Sequence, residues 1–218
     1  MNSPLIQLLV LAAIAVFLIL RLRSVLGTRE GFEKPPVPEQ PAKRSGPAFE
    51  VIEGGPDLDI TDHFDEGTAQ ASALAEMKRI EPSFNVTDFL AGGRGAYEMI
   101  VMGYENGDLD TIKPILSEEV YESFVDAISA REDQGLTIEA SFIGVREMNL
   151  ENVTLEPDTK EAEVTIKFVA ELTQAVRNAE GEIVEGSVTD AKKQKDTWVF
   201  ARHMGSDDPN WFLVSTDG

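Results

Sequence analysis

Residues 161 to 172, EAEVTIKFVAEL, alternate almost without a fault. Ala162, Val164, Ile166, Phe168, Ala170 and Leu172 fall on one side of an extended chain, and Glu161, Glu163, Thr165, Lys167, Val169 and Glu171 on the other. Side chains of a strand point to opposite faces with period two. The run therefore fits a strand with one buried and one mostly wet face, and it fits no helix. Such a strand belongs to an antiparallel sheet covered on one side. The rest of the chain has to supply the cover.

More strands surround it. Leu136, Ile138, Ala140 and Phe142 share one face, after which the apolar set moves to Ile143 and Val145, the register change that a β-bulge produces. Asn178 to Gly181 form a hairpin turn. Thr197 to Met204 and Trp211 to Thr216 read as two further strands, joined by a loop in which Asp207, Asp208 and Pro209 suit a turn. The helical signals lie upstream. Over residues 68 to 81, Ala73, Leu74, Met77 and Ile80 recur at steps of three and four until Pro82 stops the run. This amphipathic helix has the domain, a membrane or a partner as candidate surfaces. A second helix follows Asn85 or Thr87 as N-cap and aligns Phe89, Gly93, Ala96, Ile100 and Tyr104. DLDTIKPIL gives a short helix that bends or ends near Pro114. Ser117 caps SEEVYESFVDAISARE, whose inner face carries Val120, Phe124, Ala127, Ile128 and Arg131. Helices first and a long antiparallel sheet after them predict an α+β domain.

The second helix contains FLAGGRGAYEMI, where Gly92, Gly93 and Gly95 surround Arg94. Phosphate loops place such glycines between a strand and a helix N-terminus. Here Pro82, Asn85 and Thr87 precede them in place of a strand, and no Lys-Ser/Thr pair follows. The glycines are expected inside the helix, at about 1 kcal/mol each relative to Ala, where another element approaches the backbone.

Residues 5 to 20 are apolar apart from Gln7. Leu5, Leu8, Leu9, Leu11, Ile14, Phe17 and Leu20 dominate them, and Arg21 and Arg23 follow at once. With their flanks they approach the roughly 20 residues that span a bilayer. No basic residue precedes the core, so the pattern fits an uncleaved transmembrane anchor over 1–26 rather than a signal peptide. The positive-inside bias then leaves the N-terminus outside and the C-terminal domain in the cytoplasm, as a single-pass protein. Residues 27–67 read as a flexible linker, since Pro35, Pro36, Pro38, Pro41, Pro47 and Pro56 favour extended chain.

Charge and composition exclude several functions. Residues 1 to 44 hold six basic and three acidic side chains, which leaves the remainder at −23 against a total of −20. Nucleic-acid binding relies on clustered Lys and Arg, so no nucleic acid is expected as partner. The chain has no cysteine and only His63 and His203. Neither a thiolate site nor a multi-histidine metal site is expected, and no cofactor. Asp196 and Arg202 are spaced to suit a structural pair.

The stretches EPSFNVTDFLAGGRGAYEMIVMGYENGDLDTIKPILSEEVYESF, FVAELTQAVRNAEGEIVEG and DTWVFARHMGSDDPNWFLVST resemble the Tim-forty-four-like domain. That family is named after the membrane-tether subunit of the mitochondrial protein-import motor. The similarity runs from Pro82 to Thr216 and sets the domain at 82–218; together with the anchor it looks like the bacterial members. The resemblance implies a cone-shaped, curved antiparallel sheet packed by N-terminal helices, in the nuclear-transport-factor-two-like and cystatin-like group. It also implies membrane association and, in mitochondrial members, help in recruiting a heat-shock chaperone. The basic helices that precede the domain in those members have no counterpart here.

The expected function is a non-catalytic adaptor at the bacterial inner membrane, in protein translocation or membrane-complex assembly. Its partners would be membrane proteins, cytoplasmic proteins recruited to the membrane, and membrane lipid. Phe89, Gly93, Tyr97, Tyr121, Phe124, Phe168, Trp198, Arg202 and Trp211 are the expected pocket or partner surface. The alternatives are a lipid- or small-molecule-binding module using the sheet cavity, an isomerase- or dehydratase-type enzyme, and a ribosome tether. For the enzyme, Tyr97, Tyr121, Asp126 and His203 are the candidates, and their spacing shows no acid–base set.

Overall fold

The alternation at residues 161 to 172 becomes the middle of β2 (Glu161–Arg177). In the computed structural model, which describes residues 55–217, β2 lies between β1 (Thr137–Leu155) and β3 (Ile183–His203). The order is β1-β2-β3-β4, with β4 (Phe212–Asp217) on the far side of β3 and every pairing antiparallel. The six inward residues of β2 are buried, while Glu161, Glu163 and Lys167 are exposed.

β1 is bent by register shifts at Phe142/Gly144, Val145/Glu147 and Leu150/Asn152. The bulge expected near residue 143 is there, but its effect differs from the expectation. Ile143 is turned out to 49 % exposure, and Val145, Met148 and Leu150 continue the inner face after it. A bulge inserts one residue and leaves it unpaired, and here the ejected residue is apolar. β3 is also far longer than the expected Thr197–Met204. Its first half carries Glu185, Asp190, Lys192, Lys193 and Lys195, all exposed, so no apolar alternation announces it.

Among the described residues, five α-helices precede or cap the sheet: α1 (Leu58–Thr61), α2 (Ala69–Ile80), α3 (Val86–Asn106), α4 (Leu109–Ile112) and α5 (Glu118–Asp133), with a 3₁₀ turn over Lys113–Ile115 between the last two. The N-cap side chains of Thr68, Asn85, Asp108 and Ser117 each accept a backbone N–H of the first turn, which satisfies donors a helix start leaves open. Gly107, at φ 71, ends α3 in the left-handed conformation that glycine adopts without strain. Leu74 and Met77 of α2 are buried, and Gln70 Nε2 donates to Asn152 Oδ1 of β1 at 3.1 Å. Of the three surfaces open to α2, the one it covers is β1.

The linker expected over 27–67 ends sooner than its proline content implies. Ile60 is buried and Phe64 packs against the core. Asp59 accepts from the backbone N–H groups of Val86 (2.8 Å) and Thr87 (3.0 Å), at the first turn of α3. Residues 57 to 64 therefore belong to the folded part, through contacts too distant in sequence to be seen in it. The expected anchor and residues 27–54 of the linker lie outside the described residues. Among the described residues no helix is long and apolar enough to cross a membrane.

Candidate partner-binding site

The inner face of the sheet meets α3 at Tyr97, which is fully buried. Its ring stacks on Phe168 of β2 (centroids 4.3 Å apart, 20° between planes), and lies 4.6 Å from Trp198 of β3 and 6.1 Å from Phe142 of β1. One side chain of α3 thus touches three strands, as a sheet bent around the helix requires. The contacts then continue outward. Trp198 meets Phe200 at 6.2 Å, Phe200 meets Phe89 edge-on at 6.4 Å, Phe89 meets Trp211 at 4.7 Å, and Trp211 meets Phe84 at 6.1 Å. This is one continuous aromatic chain from closed interior to surface. Aromatic pairs at 4.5–7 Å add roughly 0.5–1.5 kcal/mol each beyond their buried area.

The inner end is closed. The Tyr97 hydroxyl donates to Asp196, and Gln194 Nε2 donates to both oxygens of the same carboxylate at 3.0 and 3.2 Å. Burial, then the hydrogen bond to Asp196 and the charge of that carboxylate, push the Tyr97 phenol well above its ordinary range, so it stays protonated as a donor at neutral pH. Nearby, Gln174 Nε2 donates to both oxygens of buried Glu105 at 2.9 Å. Among the described residues every buried side-chain polar atom has a partner. The Tyr97–Asp196 pair is packed on three sides by rings, and it lines none of the openings found on the described surface.

The outer end is open. Phe89, Gly92, Gly93, Ala96, Phe200 and Trp211 form the wall of a pocket of about 300 Å³, with Asp88 and Asn210 at its lip. Of the three glycines singled out in the sequence, only Gly93 faces inward, where a Cβ would sit 3.4 Å from Ile166 Cδ1. Gly92 and Gly95 are exposed, and a Cβ at either would have no neighbour within 4 Å. Arg94 reaches from the helix to donate to the Val145 carbonyl at 2.9 Å, beside a bulge of β1. Among the glycines of α3, the one that close packing demands most is Gly103, where a Cβ would lie 2.6 Å from Ile112 Cγ2.

The nine expected surface residues divide. Phe89, Gly93 and Trp211 meet at the pocket, and Tyr97, Phe168 and Trp198 form the closed interior behind it. Phe124 packs on Tyr104 instead (4.8 Å), and Tyr121 lies under the Lys113 ammonium (4.4 Å) in a separate depression. Arg202 pairs with Glu81 at 2.8 Å and donates to the Asp208 carbonyl at 3.1 Å. The expected Asp196–Arg202 pair does not form. Six residues along a strand put them about 20 Å apart, and each has a nearer partner. Asp126 and His203 are exposed and separate from Tyr97. A larger groove, about 770 Å³, lies between α2 and Val153–Pro157. It is an open trough with charged Glu76, Arg79 and Lys160 along it, and it does not connect to the aromatic chain.

The sequence profile of the Tim44-like domain matches residues 70–218, more than half of the chain. The chain belongs to the Tim44-like domain family. It is 27 % identical over 128 residues to "Mitochondrial import inner membrane translocase subunit TIM44-1" of Arabidopsis thaliana, covering 59 % of this chain and 27 % of that protein. It is 25 % identical over 146 residues to "Mitochondrial import inner membrane translocase subunit TIM44" of Homo sapiens, covering 65 % and 31 % respectively. The match thus spans about three-tenths of each of these relatives. Among solved structures, similarity is found to the intermembrane space region of chloroplast protein ARC6. Its TM-score is 0.34 and its identity 13 %, with 50 % of this chain and 75 % of that chain covered. The domain begins at α2 in this match, so the helix set apart at 68–81 joins the Tim44-like unit.

Proposed function

We propose that this Tim44-like protein is a membrane-anchored, non-catalytic adaptor that binds partner proteins through the Phe89–Trp211 pocket. The observation that carries the reading is the aromatic chain. At its inner end the space an enzyme of this kind of fold would need for substrate is filled by Tyr97, Phe168 and Trp198. At its outer end Phe89, Phe200 and Trp211 line an opening. Buried aromatic anchors near a desolvated pocket are where protein interfaces concentrate their energy. The Asp88 carboxylate at the lip favours a partner segment that brings an apolar side chain and a basic flank.

The anchor over residues 1–26 would hold the domain at a bilayer, with the proline-rich segment as spacer. Bacterial inner membrane, cytoplasmic domain and single-pass topology are part of this proposal, and so is a cone-like shape for the bent sheet. The relatives' names as subunits of the mitochondrial inner-membrane import translocase support work in protein translocation or assembly. The pocket's volume is at the bottom of the range for small-molecule sites, which favours a protein side chain over an acyl chain. Cross-linking in native membranes followed by affinity purification tests the reading. Defined partners should co-purify with the full chain and be lost when residues 82–218 are removed. Recovery of the same proteins without that region would overturn it.

A further inference from the structure

β3 is 21 residues long, but β4 pairs only with Thr197 to Ala201. Among the described residues no strand lies against the opposite edge from Ile183 to Asp196. Within that edge the pairing of β3 to β2 is regular from Lys192, opposite Leu172, onward. Between Ser187 and Lys192 it is broken, with four residues of β3 set against one of β2. The regular, unpaired stretch is therefore Lys192 to Asp196, about 16 Å long, lying end to end with β4.

This stretch is basic on a chain of net charge −20. Lys192, Lys193 and Lys195 are exposed. By register, Lys193 stands opposite Glu171, which Arg146 already holds at 2.6 Å, and Lys195 stands diagonal to that same Glu171 on one side and to exposed Lys167 on the other. No ion pair among the described residues uses Lys167, Lys192, Lys193 or Lys195. Unpaired backbone and uncompensated positive charge coincide here.

We propose that the Lys192–Asp196 edge of β3 takes an extended acidic segment of a partner protein as an added strand. Edge lysines discourage indiscriminate pairing because a second strand must bury or repel them. The same lysines select a strand that brings carboxylates, since opposite charges across a pair stabilise it and like charges destabilise it. Backbone hydrogen bonds then supply affinity and the flanking charges specificity. A second copy of this chain fits less well. Pairing the stretch antiparallel with itself sets Lys193 against Lys195, and a longer self-pairing has to cross the irregular segment between Ser187 and Lys192. This edge is separate from the Phe89–Trp211 pocket, and the inference goes beyond the adaptor reading without resting on it.

The test uses the full chain in nanodiscs of zwitterionic lipid, at about 50 mM salt to limit screening. A fluorescein-labelled decapeptide alternating Glu and Thr is compared, by fluorescence anisotropy, with a second peptide of equal charge in which two central Thr are replaced by Pro. The expected result is binding of the alternating peptide at least about tenfold tighter than the Pro peptide. It should fall about tenfold or more in Lys193→Gln/Lys195→Gln, whose neutral, exposed side chains leave the thermal melt unchanged. Equal binding of both peptides, or binding that survives the double substitution, would overturn the proposal. So would the absence of peptide binding, whether the lysines instead govern attachment to anionic vesicles or self-association in sedimentation. Photo-cross-linking from the Phe89 pocket reads the adaptor proposal separately, so either can fail alone.

Discussion

Replacing Asp59 by Asn should show that the folded domain begins before its first long helix. The Asp59 side chain is 13 % exposed. Its Oδ2 accepts from Val86 N at 2.8 Å and from Lys78 Nζ at 3.0 Å, and its Oδ1 accepts from Thr87 N at 3.0 Å and Thr87 Oγ1 at 2.9 Å. Burial works against the charge. The Val86 amide, the Lys78 ammonium and the Thr87 amide and hydroxyl outweigh it and lower the carboxyl from 3.8 to about 2. A tenfold change in acidity corresponds to about 1.4 kcal/mol, so ionised Asp59 contributes roughly 2 kcal/mol at neutral pH. Placement at the N-terminus of α3 acts in the same sense through the helix dipole. Because the folded value is depressed, the contribution is complete above the unfolded value near 4 and is lost as pH falls towards 2. Urea unfolding of the full-length protein in mild detergent, followed by the emission of Trp198 and Trp211, measures it. The Asn variant should be about 2 kcal/mol less stable at pH 7, a midpoint shift near 1 M for m-values of about 2 kcal/mol/M. The gap should close between pH 4 and pH 2. A gap under about 0.5 kcal/mol at pH 7, or one unchanged at pH 2.5, would refute the reasoning.

Two further outcomes follow from the packing. Gly95→Ala, where a methyl group meets open space, should stabilise the domain by up to about 1 kcal/mol, whereas Gly103→Ala, whose Cβ would press on Ile112, should destabilise it by about 1–3 kcal/mol; thermal melts of both distinguish the two glycines, and equal effects would contradict the placement. Glu81→Gln should cost about 2–3 kcal/mol in urea unfolding, because the Arg202 guanidinium is left buried without its counter-charge, and a change below about 0.5 kcal/mol would show the pair to be idle.

The fold is legible in the sequence where one face of an element is apolar and the other wet. β2 can be read residue by residue, and α2, α3 and α5 can be placed from their spacing, the last two also from their N-caps Asn85 and Ser117. Long-range polar contacts leave no local pattern. Asp59 reaches α3 across 27 residues, and Glu81 reaches Arg202 across 121. The first half of β3 is exposed on both faces, with Ile183, Val184 and Val188 scattered among charged residues, and carries no period. Of the candidate site, Phe89 and Gly93 share a helix face that spacing reveals, but Phe200 joins them and Trp211 only through the fold, and Gly92 lies on the pocket wall rather than inside the packing. The open groove beside α2 has no signal at all, because its floor comes from Val153 to Pro157 at the end of an edge strand.

Binding at the Phe89–Trp211 pocket can be read in a single experiment. A photo-reactive phenylalanine analogue is placed at position 89 in the full chain and irradiated in native membranes, with the exposed outer-face residue Glu163 as the control position. The same is done after Gly92→Trp, which fills the pocket from a site with no neighbour within 4 Å. Discrete adducts to defined proteins from position 89, weak or absent from 163 and lost with Gly92→Trp, are the predicted result. Adducts of equal yield from both positions, or adducts from 89 that persist when the pocket is filled, would contradict the adaptor account.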